Sequence, residues 1–165
     1  MLIYVIIAAA AIILTVIDQL TKAAIVNNLS LGQTVPAIKG LLNWHYIEND
    51  GASFSILEGA RWFFVVGTAL VIGVVIFFIA KKYFCHWLGY ASATLIIAGG
   101  LGNLIDRIRI GRVIDFIDIS PLFRFPVFNF ADCCIVVGGI ALCVYILFVH
   151  DKFAPKKADE EEKDA

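Results

Sequence analysis

The sequence predicts an α-helical integral membrane protein with four transmembrane helices. The composition, the length of the apolar runs and the position of the charged residues all indicate this class. Of the 165 residues, 61% are hydrophobic and only 16% are charged, and the mean hydropathy is +0.88. Soluble domains carry about 25% charged residues, and a soluble domain this small leaves much of its surface in water. We therefore expect a lipid bilayer to surround most of the chain.

Four apolar runs are long enough to cross a bilayer, which takes about 20 mostly apolar residues in a helix. We place the spans at about residues 2–24, 62–80, 87–105 and 132–149. The first run is expected to be a span rather than a cleaved signal peptide, because it lacks a basic segment and a small-residue cleavage pattern. Residues 1–152 are therefore predicted to form one four-span domain, followed by a charged, disordered tail at residues 153–165.

Two long polar segments, residues 22–61 and 106–131, separate the spans. Leu41–Ile47 in the first segment is rich in apolar and aromatic residues, and Ala52–Leu57 is expected to continue in an extended conformation. Val113–Ile119 in the second segment is also strand-like. A small sheet on the membrane surface fits these patterns, because aromatic side chains favour the interface.

Polar side chains gather at the ends of the spans. They are Asp18, Lys22, Asn103, Asp106, Arg107, Asp115, Asp118, Asn129 and Asp132. In four antiparallel spans all of them fall at one membrane face. Ionisable residues near spans are functional candidates by default, so we predict a functional site at this face.

Several other chemistries are not expected. No H-E-x-x-H motif occurs and the three histidines fall at both faces, so we expect no metal site. No phosphate-binding loop, dinucleotide motif or nucleophile elbow indicates a cofactor or a serine hydrolase. The net charge of −1 gives no sign of nucleic-acid binding. The four cysteines are expected to be packed free thiols.

Two neighbouring carboxyl groups could hydrolyse an amide bond. The ionised group takes a proton from water, and the protonated group donates one to the carbonyl oxygen or to the leaving nitrogen. Such acids resist joint ionisation and share a proton. Asp115 lies in an apolar strand-like run and Asp132 lies at the start of the fourth span. Asp132 could equally be a first-turn acid that only stabilises the helix N-terminus.

Structural roles are also open for the other polar residues. Asp18 and Lys22 have the i,i+4 spacing of a helix ion pair. Asp106 and Arg107 are expected to form an orienting ion pair. The glycines within residues 99–102 are expected to allow close packing of helices.

A different class of function is a small proton-coupled carrier or channel subunit, in which the acids would relay protons. A structural subunit whose loops bind a partner is a third possibility. A carrier is expected to have charges near the middle of the membrane and broken helices. The spans here are free of charges in the middle, which favours a site that faces the membrane surface.

Five sequence blocks occur in order along the chain. They are Asp18–Lys22, Asn49–Ser55, Gly99–Arg107, Val113–Phe116 and Phe125–Asp132. Together they resemble the lipoprotein signal peptidases (signal peptidase II), which are bacterial intramembrane aspartyl proteases. Each block alone is weak, but all five in order on a four-span chain of this length are highly specific.

The resemblance implies that Asp115 and Asp132 form a catalytic dyad. Residues implied to shape the site or hold substrate are Asp18, Lys22, Asn49, Gly51, Asn103, Asp106, Arg107 and Asn129. The implied partners are membrane lipid and prolipoprotein substrates, which would be cut on the amino side of a diacylglyceryl-modified cysteine. We expect a monomer.

The resemblance also implies a bacterial cytoplasmic membrane location, with both termini cytoplasmic and the dyad near the extracytoplasmic face. Charge counting cannot decide this orientation. The two long loops hold seven Lys and Arg residues, and the termini together with the turn between the second and third spans hold six. A small extracytoplasmic β-cradle and a short surface helix would map onto residues 31–60.

The two acids of the implied dyad have different surroundings. Ile114 and Phe116 flank Asp115, where loss of solvent would raise the pKa of its carboxyl group. Asp132 opens a helix, where the helix dipole favours a negative charge. We therefore predict that Asp115 holds the shared proton and that Asp132 is ionised.

Overall fold

Four helical segments that are long and apolar enough to cross a membrane dominate the structure, a computed structural model that describes residues 1–51 and 61–153. The elements in chain order are α1 (Leu2–Asn28), β1 (Thr34–Ile38), β2 (Leu42–Asn49), α2 (Arg61–Ala80), α3 (Trp87–Arg109), β3 (Val113–Asp118) and α4 (Phe130–Val144). A π-helical turn at Tyr145–Val149 joins α4 to the short helix α5 (His150–Phe153). The predicted four-span helical class is confirmed.

The helices extend beyond the apolar runs that predicted them. The first span continues to Asn28, the third continues to Arg109, and the fourth runs from Phe130 to Phe153. An apolar run marks the part of a helix that crosses lipid, whereas the backbone hydrogen bonds continue through polar residues beyond it. The additional turn of α3 carries Asp106 and Arg107 into the site.

Helix α3 is the centre of the bundle and packs against α1, α2 and α4. Within its most apolar window 56% of residues are buried, compared with 17% in each of the other three spans. Its buried face is rich in small residues, including Gly89, Ser92, Ala93 and Ala98. Lipid tails are as apolar as side chains, so close approach of backbones through small residues drives helix association in a membrane.

The glycines of residues 99–102 confirm the predicted close packing. A Cβ atom at Gly99 would overlap the carbonyl oxygen of Ala131, and one at Gly102 would lie 2.5 Å from Asp18 Oδ2. Both glycines therefore bring α3 against the first turn of α4 and against α1.

The three strands form an antiparallel sheet in the order β1-β2-β3. Asn49 pairs with Val113 and Ile47 pairs with Asp115, and the register shifts between Trp44 and Ile47. The predicted small sheet is confirmed, and its third strand is the strand-like run of the second long segment. This pairing places Asp115 next to the end of β2.

Two expectations fall outside the described residues. The short surface helix, which would map onto residues 31–60, and the extended segment Ala52–Leu57 both involve residues 52–60. The predicted disordered tail falls almost entirely at residues 154–165, which also lie outside them.

The four cysteines are free thiols, as predicted, but only one of them is packed. Cys134 is buried, Cys85 and Cys133 are half-buried, and Cys143 is exposed on the outer surface of α4. An exposed thiol is compatible with a lipid-facing surface, because cysteine behaves as a small hydrophobic residue.

Adjacent glycines on α4 provide a test of the helix packing. A Cβ atom at Gly138 would lie 2.9 Å from Leu95 Cβ and 3.0 Å from the carbonyl oxygen of Ser92, whereas one at Gly139 would meet nothing within 4 Å. We expect Gly138→Ala to lower the free energy of unfolding by about 1–3 kcal/mol. Gly139→Ala should be neutral or stabilising by up to about 1 kcal/mol. Melting temperatures in the same detergent would measure both, and equal effects would contradict the packing described.

Candidate active site

The predicted site residues converge at one end of the bundle, around a cavity of about 630 Å³. The polar residues that line it are Asn49, Asn103, Arg107, Asp115 and Asp132, together with Thr68 and Cys133, and Gly51 also lines it. The two acids of the implied dyad therefore face one space. The remaining predicted residues, Asp18, Lys22, Asp106 and Asn129, are buried around it.

The ammonium group of Lys22 lies at the centre of a buried polar cluster behind the cavity. It is 2.9 Å from Asp18 Oδ2 and 2.7 Å from Asp106 Oδ2, and all three side chains are at most 2% exposed. It also donates a hydrogen bond to Asn103 Oδ1 at 3.1 Å. The predicted pairing of Asp18 with Lys22 is confirmed, and it is part of a larger network than the helix spacing indicates.

The expected ion pair between Asp106 and Arg107 is wrong. Consecutive residues of a helix point in directions about 100° apart, so Asp106 points to Lys22 while Arg107 points to the cavity. Arg107 Nη2 donates to the carbonyl oxygen of Gly51 at 3.4 Å, and the guanidinium group lies 5.0 Å from the centre of the Phe64 ring. Arg107 thus connects α3 to the segment after β2 and to α2.

The first turn of α4 is fixed by a reciprocal capping arrangement. Asn129 Oδ1 accepts from the backbone N–H of Asp132 at 3.0 Å, and Asp132 Oδ2 accepts from the backbone N–H of Asn129 at 3.1 Å. Asp18 Oδ1 accepts from the backbone N–H of Ala131 at 2.9 Å. Asp132 therefore does stabilise the helix N-terminus, as the structural alternative predicts. Its other oxygen, Oδ1, accepts from Asn103 Nδ2 at 2.7 Å, and the residue also lines the cavity.

The carboxyl group of Asp115 is 2% exposed and is held by two side-chain amides. Its Oδ1 accepts from Asn129 Nδ2 at 2.6 Å, and its Oδ2 accepts from Asn49 Nδ2 at 3.0 Å. Asn49 Oδ1 accepts from the backbone N–H of Gly51 at 3.0 Å. Because a backbone N–H can only donate, this bond fixes which end of the Asn49 amide faces Asp115.

A chain of hydrogen bonds joins the two acids through Asn129 and Asn103. Asn129 Nδ2 also donates to Asn103 Oδ1 at 3.1 Å, and Asn103 Nδ2 donates to Asp132 Oδ1 at 2.7 Å. The ammonium group of Lys22 on Asn103 Oδ1 fixes the orientation of that amide, because ammonium can only donate. Both acids are thus held by donors of fixed direction.

Burial, and to a lesser extent the negative charge of Asp132, raise the pKa of Asp115 to about 7. The hydrogen bonds from Asn49 and Asn129 and the charge of Lys22 act in the opposite direction but do not outweigh burial. Asp118, on the same strand, behaves differently. Burial raises its pKa too, but hydrogen bonds from Asn43 and Ser120 outweigh this effect and leave the pKa below the usual value.

Some contacts around the site carry little signal in the sequence. Gln19 Nε2 donates to Asp106 Oδ1 at 3.0 Å and to the carbonyl oxygen of Gly102 at 3.2 Å, and its place in the first sequence block is the only pointer to it. Phe64 and Thr68 of α2 line the cavity, although nothing in that apolar helix distinguishes them. Across residues 1–51 and 61–153, no three His, Cys, Asp or Glu side chains converge as a possible metal site.

Comparison with known proteins places this bundle and its cavity in the class of membrane-spanning bacterial peptidases. A family model described as signal peptidase (SPase) II matches residues 10–148. The chain belongs to the signal peptidase II family.

Individual relatives agree with this assignment. The chain is 42% identical over 137 residues to a lipoprotein signal peptidase of Listeria monocytogenes serotype 4a (strain HCC23), covering 82% of this chain and 88% of the relative. It is 43% identical over 133 residues to a lipoprotein signal peptidase of Streptococcus pyogenes serotype M2 (strain MGAS10270), covering 81% and 87%. A solved structure described as a bacterial membrane enzyme superposes with a TM-score of 0.81 at 31% identity, covering 92% of this chain and 93% of that one.

Loss of the Lys22 ammonium group should destabilise the whole site. In Lys22→Met, Asp18 and Asp106 stay buried without their cation, which typically costs about 3–5 kcal/mol of unfolding free energy. The matched control is Arg112→Met, because Arg112 is 52% exposed and its 3.1 Å pair with Glu48 should contribute at most about 1 kcal/mol. Thermal unfolding of both variants in detergent is the measurement. A Lys22→Met protein as stable as the control would contradict the central role of this group.

Proposed function

We propose that the protein is an intramembrane aspartyl endopeptidase that removes signal peptides from prolipoproteins. It hydrolyses the amide bond on the amino side of a diacylglyceryl-modified cysteine. The observation that carries this proposal is the convergence of Asp115 and Asp132 on one cavity, joined through Asn129 and Asn103. The names of the relatives support the choice of substrate.

In the proposed first step, ionised Asp132 takes a proton from a water molecule while the resulting hydroxide attacks the scissile carbonyl carbon. Protonated Asp115 donates its proton to the carbonyl oxygen, which gives a tetrahedral diol. Asp132 then gives its proton to the leaving nitrogen as the C–N bond breaks, and Asp115 recovers a proton from a diol hydroxyl. Both acids return to their starting states, and one water molecule is consumed for each bond cleaved.

The surroundings of the two acids support this division of roles. The raised pKa of Asp115 keeps a proton available near neutral pH. Asp132 accepts two N–H donors and lies at a helix N-terminus, where these donors and the helix dipole stabilise negative charge.

The other site residues act by positioning. Asp18, Lys22 and Asp106 hold α1, α3 and the start of α4 together, while Asn103 and Asn129 orient the acids. Asn49, Gly51 and Arg107 form the wall of the cavity nearest the sheet, where substrate backbone would lie.

We further propose that the protein works as a monomer in the bacterial cytoplasmic membrane, with both termini cytoplasmic. The four helices place the start of α1 and the end of α5 at the same end of the bundle, opposite the cavity. The dyad then lies near the extracytoplasmic face. A proton carrier fits less well, since both acids lie at one end of the bundle rather than along a path through it.

Cleavage of a lipid-modified substrate is the direct test. Purified protein is incubated with a diacylglyceryl-modified prolipoprotein and with an unmodified copy, and mass spectrometry identifies the released signal peptide. We expect cleavage of the modified substrate alone, on the amino side of the cysteine. In the same assay Asp115→Asn and Asp132→Asn should each lose about 10²–10⁴-fold in kcat, because each removes one of the two proton-transfer groups.

The matched control is Asp118→Asn, which makes the same change on the same strand. Asp118 binds Asn43 and Ser120 rather than the amides of the site, so most activity should remain. If folded wild-type protein cleaved neither substrate, or if either dyad variant kept substantial activity, the proposed mechanism would be wrong.

The pH dependence of activity tests the proton on Asp115. As the pH rises through about 7, the Asp115 carboxyl group loses the proton that it must donate, so kcat/KM should fall on the alkaline side. This alkaline fall in kcat/KM reports the titration of the two coupled acids together.

The free energy of unfolding should also fall as the pH rises. The native state binds the Asp115 proton more tightly than the unfolded chain does, so the free energy of unfolding falls between about pH 4 and about pH 7. Asp115→Asn should remove that part of the fall, and an unchanged pH dependence of its melting temperature would contradict the assignment.

A further inference from the structure

A second cavity of about 290 Å³ lies beside the first, between α2, α3 and α4. Phe64, Thr68, Gly100 and Ile135 line both cavities. The two spaces are therefore neighbours that share a wall, and a ligand in the first can extend into the second.

The second cavity lies deeper in the bundle than the dyad. Gly100 precedes Asn103 by one helical turn on α3, and Ile135 follows Asp132 by one turn on α4. At 1.5 Å per residue, the shared wall is about 4.5 Å further from the sheet than the site residues. On α2 the lining continues from Phe63 to Ile72, which is about 13.5 Å along the helix. The space thus runs from just below the acids toward the middle of the membrane.

The walls of this cavity fit a hydrocarbon chain better than a peptide. Thr68 is the only polar side chain among its lining residues. An extended peptide would place backbone N–H and C=O groups there without partners, which is unfavourable away from water. A helix is about 10–12 Å wide with its side chains and would not enter a space of about 290 Å³.

We propose that this second cavity, the acyl groove, binds one of the two acyl chains of the diacylglyceryl-modified substrate. The proposal rests on the proposed function. The lipid is attached to the side chain of the cysteine whose amide nitrogen is in the scissile bond, so its acyl chains begin only a few bonds from the dyad. From there they must extend into the membrane, and the groove begins one turn below the acids in that direction.

The groove contributes by positioning the substrate. An acyl chain that moves from the bilayer into an apolar groove gains little hydrophobic free energy, because lipid tails are equally apolar. A chain held in the groove does fix the location of the cysteine, and small errors in the placement of reacting atoms are costly in rate. We therefore infer that occupancy of the groove determines selectivity for long-chain substrates.

Gly67 allows the groove to be filled without disturbing the helices. It lines the groove, and a Cβ atom there would meet nothing within 4 Å. Gly73 lies on the same helix with the same open space, but it is exposed and is not part of the groove lining. Gly67→Leu is therefore the test variant, and Gly73→Leu is its matched control.

Two synthetic substrates with the same peptide sequence separate a loss of acyl-chain binding from a general loss of catalysis. One has hexadecanoyl chains on the glycerol, and the other has butanoyl chains. We expect wild-type protein and Gly73→Leu to prefer the long-chain substrate. Gly67→Leu should lose roughly 10–100-fold in kcat/KM on the long-chain substrate, while its kcat/KM on the short-chain substrate stays within a few-fold of wild type. An unchanged preference, or an equal loss on both substrates, would overturn the groove assignment.

A second pair of variants keeps the proposal testable if Gly67→Leu does not fold. Val71 and Val74 are equally exposed on α2, at 53% and 54%, but of the two only Val71 lines the groove. Val71→Phe should reduce the long-chain preference and Val74→Phe should not. If wild-type protein cleaves the long-chain substrate but the groove variants keep its preference, only the groove proposal fails. If folded wild-type protein cleaves neither substrate, the proposed function fails and the groove proposal with it.

Discussion

The buried ammonium group of Lys22 is the contact on which the rest of the site depends. It bridges Asp18 of α1 and Asp106 of α3 and orients the Asn103 amide toward the dyad. Each of the two carboxylates also accepts a backbone N–H, Asp18 from the first turn of α4 and Asp106 from β3. One cation therefore sets the relative positions of α1, α3, α4 and the strand that carries Asp115. In a low-dielectric interior such a network tolerates few alternative arrangements, because each one leaves a charge without a partner.

The same constraint separates the acids that pair with Lys22 from Asp115, the acid that we propose is reactive. Asp18 and Asp106 each have the Lys22 ammonium group within 3 Å, and the attraction between opposite charges offsets the cost of burying them. Asp115 is also buried, but its two nearest partners are neutral amides. Amides donate hydrogen bonds without supplying a full charge, so burial outweighs them and the pKa rises to about 7. With neutral amides as its nearest partners, the buried Asp115 can both hold and release a proton near neutral pH.

Sequence reasoning succeeded where a single physical rule acts along the chain. The length of an apolar run predicts a span, and the strand-like run Val113–Ile119 predicts a strand, which the structure has at Val113–Asp118. It failed where partners are set by three-dimensional direction: neighbours in sequence such as Asp106 and Arg107 point apart, whereas Lys22 and Asp106 meet from different helices. The dyad assignment came from the resemblance to a family, because physical rules left the first-turn role of Asp132 open. No pattern in the sequence indicates that Phe64 lines the cavity, since only the packing of α2 places it there.

Helix α3 joins the packing of the bundle to the shape of its cavities. On one side Gly99 and Gly102 bring the first turn of α4 and Asp18 close enough to complete the polar network. On the other side a Cβ atom at Gly100 would lie 3.1 Å from Ile72 Cδ1 and 3.4 Å from Thr68 Cγ2, at the wall shared by the two cavities. In a membrane, small residues are the usual means of helix association because hydrophobic burial offers little gain. Since the same small residues leave open space where a side chain would project, the packing that assembles the bundle also keeps apolar space open beside Asp115 and Asp132.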